Sequence, residues 1–239
     1  MGHTTVDGRD PHSGRSAPGP QHDTFLNMSL IHRTTLKPTK LELLTDWLPT
    51  RAWYQGGAGS PALAKVGGFR LDDPAWEVGI EFMVAADGST AYHVPMTYRG
   101  SPAEEMSDAL IGTTEHGVLG QRWVYDGTRD PVLVRQLATL IQGQAEPQAQ
   151  SQSDTPDPTV LSWPATDGPL DVADFTAADD AEGTTVSAGE LTLQVHRVLR
   201  PVTGDGRAPG AVSATWGLAD GTRARGVFAV AAYELGSAG

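Results

Sequence analysis

Apolar and polar residues alternate most clearly in EVGIEFMVAADGSTAYHVPMTYRG, residues 77–100. Val78, Ile80, Phe82 and Val84 share one face of a strand, and Asp87-Gly88 is a hairpin turn. Tyr92, Val94, Met96 and Tyr98 share a face of the return strand. Pro95 cannot donate to a ladder, which places that strand at an edge or a bulge. After residue 108 the period changes. DALIGTTEHGVLGQRWVYDG reads as a strand punctuated by glycine turns, with Val118, Leu119, Trp123, Val124 and Tyr125 as its large apolar residues. Asp126-Gly127 is a turn pair, and Asp130-Pro131 opens a helix with proline at its first position. Leu133, Val134, Leu137, Leu140 and Ile141 then recur at helical spacing, with Arg129, Arg135 and Gln136 on the other side and Gly143 as the stop.

Weaker patterns flank this centre. SLIHRTTL from Ser29 suits a first strand, and Thr39 caps KLELLTDWL with Glu42 completing a capping box. Leu41, Leu44 and Leu48 mark the buried side of that helix, and Pro49 stops it. LAKVGGFRLDD is a strand with a glycine bulge at Gly67-Gly68. Residues 144–159 are polar and proline-bearing, as a linker would be. ELTLQVHRVLRPV, AVSATWGL and ARGVFAVAAYEL come next as strands, the last two joined at Asp220-Gly221. The expected architecture is α+β, an antiparallel sheet of four or five strands on one or two helices, followed by a small antiparallel β module. The expected segments are a disordered extension over 1–27, an α+β domain over 28–144, a polar linker over 145–165 and the β module over 166–239.

Composition excludes several functions. The formal charge is −12, and nine acidic residues lie between Gln144 and Gly189 with no Lys or Arg among them. The three lysines end at Lys65, so no basic face for nucleic acid is available. The acidic segment suits steering toward a basic surface on a protein partner. Zero cysteines remove disulfides, thiolate nucleophiles and cysteine-based zinc sites. No run approaches the roughly 18 apolar residues of a membrane span, and no signal-peptide core follows Met1, so a cytoplasmic location is expected.

Candidate chemistry is thin. His3, His12 and His22 read as tail residues. Gly204 to Gly210 has the glycines of a phosphate loop without its lysine or its helix. Glu115 and His116 are neighbours on a strand and point to opposite faces. Asp72-Asp73 and Glu104-Glu105 suit turns and caps, and His93 suits a solvated or cross-strand-paired position. Trp47, Trp53 and Tyr54 stand beside the glycine-rich loop QGGAGSP. Trp53 and Tyr54 are the residues expected to touch a ligand or partner, by stacking, with Trp47 as helix-end packing. No catalytic, cofactor-binding or metal-binding residue is assigned.

SLIHRTTLKPTKLELLTDWLPTRAWY (29–54), YHVPMTYRG (92–100) and DALIGTTEHGVLGQRWVYDGTRDP (108–131) resemble the N-terminal cap domain of actinobacterial maltokinases. These kinases phosphorylate maltose in an α-glucan pathway that starts from trehalose. The resemblance spans about residues 28–145 and implies a curled, cystatin-like sheet packed on a helix. It does not extend to the kinase lobes: no Lys follows Lys65 and no His-Gly-Asp loop occurs. The resemblance therefore implies a cap without kinase chemistry, needing no cofactor, that binds or regulates a protein of trehalose, maltose and glycogen metabolism. The alternatives are a maltokinase-like, ATP-dependent sugar kinase or other glucan-active enzyme, and direct oligosaccharide binding.

Overall fold

The computed structural model describes residues 36–57, 59–150, 155–166, 168 and 170–233; the expected extension over 1–27 and most of the strand expected from Ser29 lie outside them. The first half supplies β1 (Leu36–Lys37), β2 (Leu63–Leu71), β3 (Gly79–Asp87), β4 (Thr90–Arg99), β5 (Leu110–His116) and β6 (Gly120–Asp126). The second half supplies β7 (Gln148–Ala149), β8 (Leu161–Ser162), β9 (Thr176–Asp179), β10 (Gly183–Ala188), β11 (Leu191–His196), β12 (Val198–Leu199), β13 (Ala211–Gly217) and β14 (Arg223–Tyr233). All join one antiparallel sheet whose main path is β1-β5-β6-β4-β3-β2-β13-β14-β11-β10-β9. Two helices flank it, α1 (Lys40–Trp47) and α2 (Pro131–Ile141). The expected capping box at Thr39 and Glu42 forms, and Asp130 caps α2 ahead of Pro131. The run 108–126 is a hairpin of two strands, β5 and β6, because Gly120 turns the chain at φ +70.

The central strands are buried on both faces. Ile80, Phe82 and Val84 of β3 join Leu133, Val134, Leu137, Leu140 and Ile141 of α2 in one cluster. Met83 and Ala85 face the other way, where they meet Tyr92, Val94 and Met96 of β4 under Leu44, Trp47, Leu48 and Trp53. The apolar sets that alternation assigns to the two strands therefore look into two different layers. Gln136, expected on the solvent side of α2, is buried. Second-half residues cover that flank of the sheet: Val186, Leu193, Val195, Trp216 and Phe228 belong to the same cluster as α2.

The sheet and this core run through both sides of residues 145–165. Within that stretch β7 pairs with β2 and β8 pairs with β13, so its apolar-poor composition does not keep it out of the ladder. The join between the halves depends on the two glycines. Trp216 of β13 registers against Gly67, where an added Cβ would sit 2.9 Å from that of Trp216. At Gly68, with φ +132, a Cβ would fall on the carbonyl oxygen of Phe82. The bulge expected at Gly67-Gly68 falls one step earlier, between Lys65 and Gly67, beside the place where β13 approaches β2.

A second join brings the far end of the ladder back. β11 pairs with β14, yet one residue later β12 leaves it and pairs with β4, Val198 against Tyr92 and Leu199 against Ala91. This corrects the reading of Pro95. β4 is an interior strand between β3 and β6, not an edge. β6 stops opposite Met96 and β12 starts opposite Tyr92, leaving a gap in between. The His93 N–H points into that side and donates to the Arg197 carbonyl at 2.8 Å. Pro95, two residues on, has the same orientation and would have no strand partner there.

Gly68→Ala is expected to destabilise the fold by about 2–4 kcal/mol through backbone strain and steric displacement of β3. Gly57→Ala, with nothing within 4 Å of the added Cβ, is expected to stay near neutral. Urea denaturation of both variants measures the difference.

Candidate functional site

Arg197 stands at the margin of the gap in the ladder. Its side chain is fully buried, and its Nη2 lies 2.6 Å from both carboxylate oxygens of Asp126 and 2.8 Å from Thr128 Oγ1. Its Nε donates to Thr184 Oγ1 at 2.7 Å. Asp126 ends β6, Thr128 lies in the turn before α2 and Thr184 belongs to β10, so one guanidinium ties three elements of both halves. Burial alone would raise the Asp126 pKa, but Arg197 and the Thr128 hydrogen bonds outweigh it and hold the carboxyl below its usual range. Arg197 Nη1 has no hydrogen-bond partner among the described residues.

His93 sits beside this pair, 1% exposed, so of the two expected positions it takes the cross-strand-paired one and not the solvated one. The cause is the cover over the second face of β4: its ring lies 4.6 Å from that of Phe228 and 5.9 Å from that of Phe82. Nδ1 is 3.0 Å from the His196 carbonyl, an acceptor only, so Nδ1 carries a proton, while Nε2 is buried with no hydrogen-bond partner among the described residues. Burial, reinforced by the positive Arg197, pushes its pKa down to about 3. The group is a neutral core side chain at ordinary pH.

The two residues expected to touch a ligand separate in depth. Trp53 is fully buried, with Trp47 at 5.8 Å and Tyr92 at 6.1 Å, and the Arg197 guanidinium stands 5.1 Å from its ring centre. It supports the junction from below and offers no surface for stacking. Tyr54 is half-buried; its hydroxyl donates to Asp87 at 2.8 Å, and burial together with that carboxylate pushes its pKa up to about 12.

A second polar cluster lies on the layer under α1. Glu81, 2% exposed, accepts from Lys40, from Gln150 and from the Tyr98 hydroxyl, the last at 2.6 Å. Burial opposes its charge, but Lys40, Tyr98 and nearby Lys65 prevail and keep it ionised below the ordinary range. The cluster pins the first residue of α1 to β3, β4 and the chain at Gln150. Glu115 is exposed and His116 accepts from the Val118 and Leu119 N–H groups, so the pair performs turn chemistry. Asp73 likewise accepts from the Ala75, Glu77 and Val78 N–H groups and holds Trp76 at φ +59. Among the described residues no group of three or more His, Asp or Glu side chains has the spacing to hold a metal ion.

An open cleft of about 500 Å³ lies between the turn Glu104–Ala109, the start of α2 and β9. Buried Met106 and half-buried Phe175 and Ala177 give it an apolar floor, while Glu105, Asp108 and Asp174 are exposed around it. Arg129 at its end donates to the Ala177 carbonyl at 2.8 Å and stands 3.7 Å from Asp179.

Residues 47–130 match the family model of the maltokinase N-terminal cap domain. The comparison with curated proteins gives no match. The cap-like segment starts at Trp47 and ends at Asp130, shorter than the resemblance over 28–145. Asp126, Thr128, His93, Trp53, Tyr54 and Glu81 all lie in the cap, whereas Arg197 and Thr184 lie outside it. The cleft, too, has one wall in the cap and one wall in the β module. No helix among the described residues is long and apolar enough to cross a membrane.

Sequence reasoning missed Arg197, Asp126 and the cleft. Arg197 had a signal: it falls in phase with Leu191, Leu193 and Val195, whose side chains are buried. Asp126 was readable only as a turn residue, and a cleft assembled from three distant segments leaves no local mark.

Asp126→Asn leaves a buried guanidinium without its counter-charge and is expected to cost about 3–5 kcal/mol, measured by urea denaturation. A second expectation concerns pH. The folded state holds His93 neutral, while the unfolded chain protonates it near the ordinary value of 6.5. Its contribution is therefore present above about 6.5 and is lost as pH falls toward about 3, at up to about 1.4 kcal/mol per unit. His196, whose pKa burial also lowers, adds a smaller contribution of the same sign. His93→Phe should flatten the stability curve between about pH 6.5 and 4.5; an unchanged slope would assign it to other groups.

Proposed function

We propose that this is a non-catalytic maltokinase-cap-like protein that acts in the cytoplasm as a binding or regulatory module of trehalose, maltose and α-glucan metabolism, through a protein partner of that pathway. The reading is supported by the cap match over residues 47–130 and by the strands C-terminal to it. Those strands take up the β2 edge and the β4 gap, and they carry none of the phosphate-handling residues of a kinase. In the sequence the last lysine is Lys65 and no His-Gly-Asp loop occurs. The cap match also favours a second reading, a maltokinase-like sugar kinase or other glucan-active enzyme. Direct oligosaccharide binding keeps Tyr54 as its aromatic surface, since Trp53 is enclosed.

Calorimetry with Mg-ATP and maltose, and a phosphoryl-transfer assay on maltose and trehalose, separate the readings. The expected result is no nucleotide binding and no sugar phosphate, with complex formation in sedimentation against a purified maltokinase or trehalose synthase. Stoichiometric phosphorylation of maltose would establish the kinase reading. Absence of any complex would remove the partner reading.

A further inference from the structure

We propose that the cleft between the cap and the β module is the docking site for a basic, amphipathic segment of another protein. The inference rests on the partner-binding reading above and gives that partner its chemistry. Three carboxylates surround the cleft from two walls. Glu105 and Asp108 are exposed on the kinked turn Glu104–Ala109 and both line the cleft, and Asp174 lines it from the β module. None of the three has a hydrogen bond or ion pair among the described residues. Arg99, whose charge is felt by Glu105, is already held in a two-pronged pair by Asp130 at 2.8 and 2.9 Å. Arg129 is likewise engaged by Ala177 and Asp179. The charge of the lining is three carboxylates against one guanidinium, a net −2.

Each competing occupant fails on charge or on shape. A second copy of the chain carries −12 itself and is repelled. A polyanion meets the same carboxylates. A neutral apolar segment covers Met106 and Phe175 but strips water from acids it cannot pair. A Lys or Arg side chain satisfies both requirements, because its aliphatic stem lies on the apolar floor while its head reaches the rim. Strand addition is not the mode of contact: β9 ends the ladder, but its Ala177 carbonyl is occupied by Arg129. Recognition is by side chains.

The test uses the full chain and an acetylated, amidated heptapeptide alternating lysine with leucine, read by fluorescence anisotropy at about 0.1 M salt. Glu105→Gln, Asp108→Asn and Asp174→Asn combined should weaken binding about tenfold or more. Glu146→Gln, Glu182→Gln and Glu190→Gln make the same charge change away from the cleft and should weaken it less than about threefold. Both sets alter exposed side chains, and circular dichroism melting should show both folded. Replacing the leucines by serine should also lose about tenfold, since the apolar floor then has no counterpart. Equal losses in the two triple variants, or indifference to the leucines, would overturn the cleft and leave only the general field of an acidic protein. Absence of peptide binding would overturn it as well. Complex formation with a pathway enzyme is measured separately, so the partner reading stands or falls on its own result.

Discussion

The buried pair of Arg197 and Asp126 is the constraint on which the rest of the architecture depends. Arg197 is the single residue between β11 and β12, where the chain leaves β14 and crosses to β4. A crossing of this kind opens a hole in the backbone hydrogen bonding of β4, and Pro95 lies in that hole. The Arg197 carbonyl accepts the His93 N–H at its margin. Removing two charges from water is costly, and the loss is offset only by close, multiple contacts. Asp126, Thr128 and Thr184 provide these, together with the face of Trp53 beneath.

The same junction explains why local reading of the sequence reached the elements but not their assembly. Thr39, Asp87-Gly88, Asp130-Pro131 and Asp220-Gly221 act through neighbours a few residues away, so they were legible. The faces of β3 and β4 were half-legible. Alternation identified Ile80, Phe82 and Val84 on one strand and Tyr92, Val94 and Met96 on the other, but it cannot reveal that both sides of a strand are covered. Glu81 shows why: it interrupts the second face of β3, so that face looks solvated, although Lys40, Tyr98 and Gln150 enclose the carboxylate. Gln136 was misplaced, and the burial of His93 is set in part by Phe228, from the other half of the chain. Of the expected contact residues, Trp53 is fully buried, with Arg197, 144 positions away, over its ring, and no local pattern links the two.

The glycine pair is the counterpart of the ion pair at the other join. Gly67 and Gly68 remove side chains where β13 meets β2, and Arg197 inserts one where β12 meets β4. Both devices bring second-half strands onto cap strands, one by close approach and one beside a gap. One acidic residue of the second half is thereby held near the cap. Asp179, four residues from Phe175, accepts from Thr184 and stands near Arg129.

This placement bears on what the cap can meet. The β2 edge is occupied and the ladder ends at β1 and β9; at β9 an arginine sits on the Ala177 carbonyl. The exposed side chains around the cap–module seam are predominantly carboxylates over an apolar floor. Neither half possesses that surface alone, because Met106 and Asp108 come from the cap and Asp174 and Phe175 from the β module. A cap that has closed on its own chain thus acquires a composite face. Arg197, bonded to Asp126 and Thr128 on one side and to Thr184 on the other, ties its two walls together.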